Sequence, residues 1–551
     1  HPGGAFSVAL ECSHQRGCAH LVVRRSLDSR FVVGCDSAAT YRVVVAVIRL
    51  SNVSFGYRDQ LLLRNVSLEL SPKQLVLVCG PTGSGKSTLL KLLNGLAPHF
   101  TSGQLSGEIL VNGISVAHSR PNQLASTIGY VNQQPDGAFV ADTVADEILF
   151  GMEQLGFEPA VMRQRLTEIA RQTGLEELLD RNLTELSDGQ QQTVAIAAAL
   201  AAGQKLLLLD EPTSALDQAS ANRVIGLLRR LIDELGITVI MAEHRIERVL
   251  EQVDSVILVD ADGSLQHGNP EQIFRDYRLV PPVVQLGQKL GWHPLLLKLD
   301  AARDRLAADE TALKIIERMP NRATPETLLH ATNLVVKYRE KTALSVAELS
   351  VNSSEIVAIM GPNGAGKSSL LYRLWQENER EIALVPQRAA DLLFLPSLHL
   401  EFEESDRFAD AAPGSTAALF TRLSQRVDPN LHPRDLSTGQ QLALVLAIQL
   451  VKDQKIVLLD EPTGGLDYHA KTELARWLVD LRQRGKAILV SSHDTEFIAA
   501  CADRILELDA GNLVRESTPE QMLDHRGSHK TQLAELVQLD GVITLGQVAD
   551  V

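Results

Sequence analysis

Two nine-residue stretches carry the clearest chemistry: Gly80-Pro81-Thr82-Gly83-Ser84-Gly85-Lys86-Ser87-Thr88 and Gly361-Pro362-Asn363-Gly364-Ala365-Gly366-Lys367-Ser368-Ser369. Each fills every fixed position of GxxxxGK[ST]. The first follows the apolar run Leu75–Cys79 and opens onto Leu89-Leu90-Lys91-Leu92-Leu93, so it reads as strand, glycine-rich loop, helix. Such a loop curls its backbone N–H groups inward at phosphate oxygens, and the helix start behind it adds partial positive charge. Lys86 places an ammonium against the outer phosphates, and Ser87 offers a hydroxyl to Mg²⁺. A nucleotide site follows, twice over.

Two acids stand at the end of a leucine run in Leu208-Leu209-Asp210-Glu211-Pro212, and again in Leu458-Leu459-Asp460-Glu461-Pro462. Paired carboxylates capping a buried strand are costly without a partner. An aspartate there can hold Mg²⁺ through water, and the adjacent glutamate can polarise an attacking water. His244 and His493 fall at the end of the next buried strand, where an imidazole can donate to the terminal phosphate. Singly, such a histidine is more often a packing residue; the joint constellation is what carries weight.

These groups need a scaffold that ends its strands at one edge. Ile48–Phe55 alternates like a strand and Val66–Leu70 forms a second. Gly107–Gly113 reads as a hairpin strand ending in an Asn-Gly turn. Ile128–Val131, Leu206–Leu209 and Thr238–Met241 are buried strands, and the tract from about Val144 to Glu185 is largely helical. Strands alternating with helices predict a mostly parallel α/β sheet.

The pattern then repeats. The second glycine-rich loop lies 281 positions after the first, as Tyr338 lies after Tyr57. Gln387 follows Gln133 by only 254 positions, Asp460 follows Asp210 by 250 and His493 follows His244 by 249. The second copy is therefore shorter between its loop and its glutamine, the interval that holds the Asn-Gly hairpin in the first. The expected organisation is an N-terminal extension at 1–46, one copy over 47–280, a linker over 281–326, a second copy over 327–525 and a tail at 526–551. Within the linker, Leu299–Met319 reads as a mixed-charge solvated helix. Cys12, His14, Cys18 and His20 could ligate zinc, but their spacing matches no common zinc module.

A chain of 551 residues is too long for one core. Its net charge of −15 argues against coating a nucleic acid. Five cysteines at this length form no disulfide framework, which favours a reduced compartment. No apolar run reaches the length needed to span a bilayer.

Leu186-Ser187-Asp188-Gly189-Gln190 and Leu436-Ser437-Thr438-Gly439-Gln440 resemble the LSGGQ signature of ATP-binding-cassette (ABC) proteins, with Asp188 and Thr438 replacing the first glycine. Ser214-Ala215-Leu216-Asp217 and Gly464-Gly465-Leu466-Asp467 resemble that family's D-loop. The resemblance covers residues 47–280 and 327–525. It implies two tandem P-loop ATPase domains, each with a mostly parallel core, a helical subdomain and an antiparallel β unit that is reduced in the second copy. It assigns Gln133 and Gln387 to the Q-loop, Tyr57 and Tyr338 to adenine stacking, and Glu211, His244, Glu461 and His493 to hydrolysis. ATP would be sandwiched between copies: Lys86, Asp210, Glu211 and His244 with Ser437 and Gly439, and Lys367, Asp460, Glu461 and His493 with Ser187 and Gly189. Mg²⁺ would be held by Ser87, Gln133 and Asp210 at one site and by Ser368, Gln387 and Asp460 at the other.

Thr143-Val144-Ala145-Asp146-Glu147-Ile148-Leu149-Phe150-Gly151 is similar to the coupling stretch of energy-coupling-factor (ECF) importers, TVxDEVAFG. Ala242-Glu243-His244-Arg245 is similar to their EHRL-type segment, while Leu395–Glu404 is a faint second version of the coupling stretch. This implies an ATPase on the cytoplasmic face of the membrane, beneath a transmembrane coupling protein and a substrate-binding subunit. The cargo would be a vitamin, a vitamin precursor or a transition metal ion. The alternatives are a fused sugar-importer ATPase and a soluble ABC protein acting on the ribosome.

Overall fold

The computed structural model describes residues 46–57, 60–133, 135–214, 216–308, 313, 315, 326–338, 341–378, 381–424 and 427–548, with three short strands, Leu10–Glu11, Val22–Arg24 and Arg30–Val32, before them. The candidate zinc residues Cys12, His14, Cys18 and His20 lie outside the described residues.

The first copy is built on a six-stranded sheet in the order Leu265–Gly268, Ser255–Val259, Leu75–Cys79, Thr238–Ala242, Leu206–Asp210, Ile128–Val131. All neighbours pair in parallel except the edge strand Leu265–Gly268. Every residue of Leu75–Cys79, Leu206–Asp210 and Thr238–Ala242 is buried. A parallel sheet covered on both faces demands such continuous apolar runs, which is why these strands read as unbroken Leu, Val and Ile. One face packs under the helix Lys86–Leu93 and a four-stranded antiparallel sheet in the order Gln60–Leu70, Ile48–Tyr57, Gln104–Val111, Ile114–Ser115. The opposite face carries Val144–Gln154, Pro159–Thr173, Asp188–Leu200 and Gln218–Leu235. The Asn-Gly turn stands where expected, with φ of 48° at Asn112 and 79° at Gly113.

The second copy repeats the sheet: Arg504–Asp509, Glu355–Met360, Ala487–Ser491, Ile456–Asp460 and Ile382–Val385 run parallel in that order. Its antiparallel unit is the hairpin Thr327–Tyr338 with Lys341–Asn352, which joins the main sheet through Asn512–Ser517. Among the described residues no strand separates the helix Lys367–Glu377 from Ile382–Val385, so the shorter interval has lost the strands equivalent to Gln104–Val111 and Ile114–Ser115. The linker helix spans Leu299–Ala308; the rest of the stretch expected to extend it to Met319 is described only at residues 313 and 315.

Residues 522–548 are no loose end. Leu533, Leu536, Val542 and Val548 pack into the first copy's core, whereas Met522, Leu523, Ala534 and Ile543 pack into the second's. Polar contacts tie the same strap to the linker. Lys289 Nζ donates to Val548 O at 2.6 Å, Arg303 donates to Glu535 O at 3.0 Å through Nη2, and Val283 N donates to Gln532 Oε1 at 3.1 Å. Among the described residues, no helix is long and apolar enough to cross a membrane.

Candidate functional site

The first glycine-rich loop leaves the strand Leu75–Cys79 and ends at the helix Lys86–Leu93, as the motif requires. Gly80 has φ of 146°, and a Cβ there would lie 2.1 Å from Val259 O, so only glycine permits this exit from the sheet. Lys86 Nζ is buried and donates to Gly80 O at 2.9 Å and Pro81 O at 3.0 Å. Burial holds its pKa below the usual lysine value, against the pull of Glu211 and of Asp467. The Ser84 hydroxyl is buried without a protein partner, and Thr88 is buried. The second loop copies this shape: Lys367 Nζ donates to Gly361 O at 2.9 Å and Pro362 O at 3.3 Å, and Ala365 is buried. At both loops the central glycine, Gly83 or Gly364, has a positive φ of 81° or 79°.

Asp210 ends its strand with Oδ1 accepting from Ser87 Oγ at 2.9 Å, and burial raises its pKa. Asp460 stands at the same place in the second sheet, but its Oδ1 accepts from Ser491 Oγ at 2.6 Å. Glu211 and Glu461 both sit in the left-handed region, at φ of 50° and 46°. A non-glycine residue held there in both copies is strain of the kind found where a side chain must be aimed. His244 Nε2 lies 2.9 Å from Glu211 Oε1, and Gln133 Nε2 donates to Oε2 at 2.8 Å. Burial acts to raise the Glu211 pKa, but the His244 contact and Lys86 hold it below the usual range. In the second copy His493 Nδ1 lies 2.8 Å from Glu461 Oε2 and Lys367 Nζ lies 3.7 Å from Oε1; Glu461 is likewise lowered, against burial. Each sheet edge thus aims one ionised glutamate beside one histidine and one lysine.

A cavity of about 1030 Å³ is shared by the two copies. The second loop from Asn363 to Ser369 lines it with Gln387, Glu461 and His493; Asp188, Gln191 and Ser214 come from the first copy. Ser187 and Ser437 each cap the helix behind them, the hydroxyl accepting from the backbone N of Gln190 or Gln440. Gly189 follows in the helix Asp188–Leu200 and Gly439 in Thr438–Leu450. The start of the second helix lies beside Gly465, where a Cβ would stand 3.3 Å from Thr438 and 3.7 Å from Gln133 Nε2. Tyr57 is half-buried, edge-on to Phe55 with centroids 4.9 Å apart, and Tyr338 ends the strand Thr327–Tyr338.

Several contacts run between the copies that no motif announces. Thr82 N donates to an Asp467 carboxylate oxygen, joining the second D-loop to the first phosphate loop. Tyr468 Oη donates to Glu247 Oε2 at 2.6 Å, and Lys471 Nζ lies 2.7 Å from Asp494 Oδ2. Thr82 and Asp467 belong to the glycine-rich loop and the D-loop, and Glu247 has Glu496 as its counterpart; Tyr468, Lys471 and Asp494 stand where the first copy has Gln218, Ala221 and Arg245.

Glu496 belongs to this cluster. Its Oε1 accepts from Gln532 N at 2.6 Å, and although part of the residue reaches solvent, burial of the carboxyl beside Asp494 and Glu247 pushes its pKa up to about 8, against the pull of Lys471. Between the unfolded value of 4.5 and 8 the native state holds a proton that the unfolded state lacks, so this group's stabilisation falls as pH rises through that window. Melting curves between pH 5.5 and 9 should show it: Glu496→Gln is expected to flatten the fall by on the order of 1 kcal/mol per pH unit at most. Equal slopes in variant and parent would refute the assignment.

The ABC transporter family profile matches residues 63–214 and 344–464. A protein of Streptomyces avermitilis named as an ABC transporter ATP-binding protein is 38% identical over 560 aligned residues, covering 92% of this chain and 100% of that protein. A Treponema denticola protein of the same name is 31% identical, covering 86% of this chain and 98% of its own length. Among solved structures, an archaeal ribosome recycling factor, aABCE1, determined with ribosomal stalk protein aP1, is similar in fold with a TM-score of 0.53 at 20% identity, covering 85% of this chain and 90% of that one. The chain is an ATPase of the ABC transporter ATP-binding protein family, carrying two cassettes in tandem.

Proposed function

We propose that this chain is the ATP-hydrolysing subunit of an ECF-type importer, working at the cytoplasmic face of the membrane against a transmembrane coupling protein and a substrate-binding subunit. Two composite sites would form within the one chain, each phosphate loop facing the signature helix of the other cassette. Glu211 and Glu461 would activate the attacking water, with His244 and His493 orienting it and Lys86 and Lys367 meeting charge on the phosphates. Tyr57 and Tyr338 would stack on adenine. The oxygen donors Ser87 and Asp210, with Gln133, suit a hard cation such as Mg²⁺, as do Ser368, Gln387 and Asp460. Mg²⁺ would neutralise phosphate charge there.

The observation that supports a membrane partner is a construction found at equivalent points of both cassettes. After Gln133, Val140 N and Ala141 N both donate to the buried Glu147 Oε2 at 2.9 Å, leaving Val140 65% exposed. After Gln387, Phe394 N and Leu395 N both donate to the buried Glu401 Oε1 at 2.8 Å, leaving Phe394 80% exposed. One exposed apolar side chain would be unremarkable, but the same pinned loop presenting one at equivalent points of both cassettes suits a partner that spans them. The vitamin, vitamin precursor or metal ion would be chosen by that partner.

Affinity purification from detergent-solubilised membranes tests the reading. The tagged chain is expected to bring down a small set of integral membrane proteins. The double variant Val140→Asp/Phe394→Asp should lose them by at least about tenfold, as removal of a central apolar anchor does at other interfaces. Recovery with ribosomes instead, or with a sugar-importer permease, would overturn the ECF assignment.

A further inference from the structure

One buried carboxylate has no part in the roles above. Glu243 precedes His244 and is 1% exposed. Oε1 accepts from Thr213 N at 3.0 Å and from the Thr213 hydroxyl, while Oε2 accepts from His244 N at 3.0 Å. Thr213 lies two residues beyond Glu211, at the start of the first D-loop. Arg248 closes the same seam: Nη1 donates to Thr213 O at 2.5 Å and Nη2 to Leu216 O at 3.1 Å. Beyond the seam, Ser214 and Leu216 line the cavity that holds Lys367 and Glu461 of the other cassette.

The second cassette lacks this device. Ser492 stands where Glu243 does and Phe497 where Arg248 does; its D-loop is held by a Thr463–Ser492 hydroxyl pair at 3.1 Å. A buried carboxyl group cannot give up either set of donors without leaving a polar oxygen unpaired. Two hydroxyls can part more cheaply. The first D-loop is therefore tied to its histidine segment by more bonds than the second, which has the single Thr463–Ser492 pair.

We propose that Glu243 is a positioning residue that couples the first ATP site to the second, making His244 and the 213–216 segment move together so that occupancy of the first site sets the geometry around Lys367 and Glu461. The reverse link, through Ser492, is weaker. This rests on Glu211 and His244 being the first site's hydrolytic pair. Coupling of this kind requires a two-state element that both sites bias, and the stapled segment is that element.

Second-site turnover in two backgrounds tests it. Glu211→Gln keeps ATP in the first site without hydrolysis, and Lys86→Ala keeps ATP out; the ratio of their turnovers measures coupling. With Glu243 in place the ratio should fall within the five- to 150-fold range of coupled sites, roughly tenfold. Glu243→Ser, which installs the second cassette's residue, should bring the ratio to about one while leaving turnover in the Lys86→Ala background unchanged. Thr213→Val, a milder change, should lower the ratio and serves if Glu243→Ser does not fold. A ratio unmoved by either variant overturns the proposal, as does a ratio near one with Glu243 present. Parallel losses in both backgrounds with a lowered melting temperature would make Glu243 merely structural and equally overturn it. Should Glu211→Gln fail to slow the otherwise native chain, it is the hydrolytic reading of Glu211 that falls.

Discussion

Glu211→Gln is expected to slow single-turnover hydrolysis at the first site by about 10²–10⁴-fold while ATP still binds. The carboxylate is held ionised by His244 Nε2 at 2.9 Å and aimed by Gln133 Nε2 at 2.8 Å, from a backbone at φ of 50°. Gln matches its shape, and the phosphate loop is untouched, so binding should survive. What is lost is the anion that can take a proton from water. Glu461→Gln should do the same at the second site, where His493 and Lys367 hold the carboxylate instead. Quench-flow with one enzyme equivalent of labelled ATP separates the sites: each variant should retain one fast phase, and the double variant none. If either single variant keeps both fast phases, hydrolysis at two sites is wrong.

The parts of this design written locally were legible in sequence. The glycine-rich loops, the Asp-Glu pairs and the signature serines are short motifs whose backbone shape depends on neighbours only a few residues away. The buried strands were legible because a covered parallel sheet admits only apolar residues, and the missing strands of the second cassette showed as a gap in the spacing. Contacts between cassettes were not legible. Thr82 meets Asp467 across 385 residues and Glu247 meets Tyr468 across 221, and neither pair has a symmetric counterpart from which to infer it. The coupling stretch misled in a smaller way. Leu395–Glu404 looks faint because most letters differ, yet Glu401 makes the same two bonds as Glu147. Holding that loop needs one carboxylate at the right spacing and little else. In sequence Glu243 is only one letter of a segment, because nothing there shows that both its oxygens are occupied.

The C-terminal strap is where spacing gave least and where stability should depend most. Its helix, Gln532–Val537, is six residues long and has too few turns for a periodic signal. Yet Leu533 and Leu536 are buried in the first cassette's core, and Ala534 and Ile543 in the second's. Leu533→Ala or Leu536→Ala is expected to cost about 2–5 kcal/mol, the range for a leucine removed from a core that cannot collapse around the gap. Removing residues 531–551 strips five large side chains (Leu533, Leu536, Val542, Ile543 and Val548) from two cores, a loss of roughly 8–15 kcal/mol at 1.5–3 kcal/mol each, comparable with the whole stability of a domain. Denaturant unfolding followed by fluorescence should then show a lower midpoint and two separate transitions where the parent shows one, because the strap joins the cores. A truncated chain with the parent's midpoint would refute the strap's role. The linker contacts of Lys289 and Arg303 cannot rescue it, because they end on Val548 O and Glu535 O, strap atoms lost in the truncation, so the midpoint alone decides.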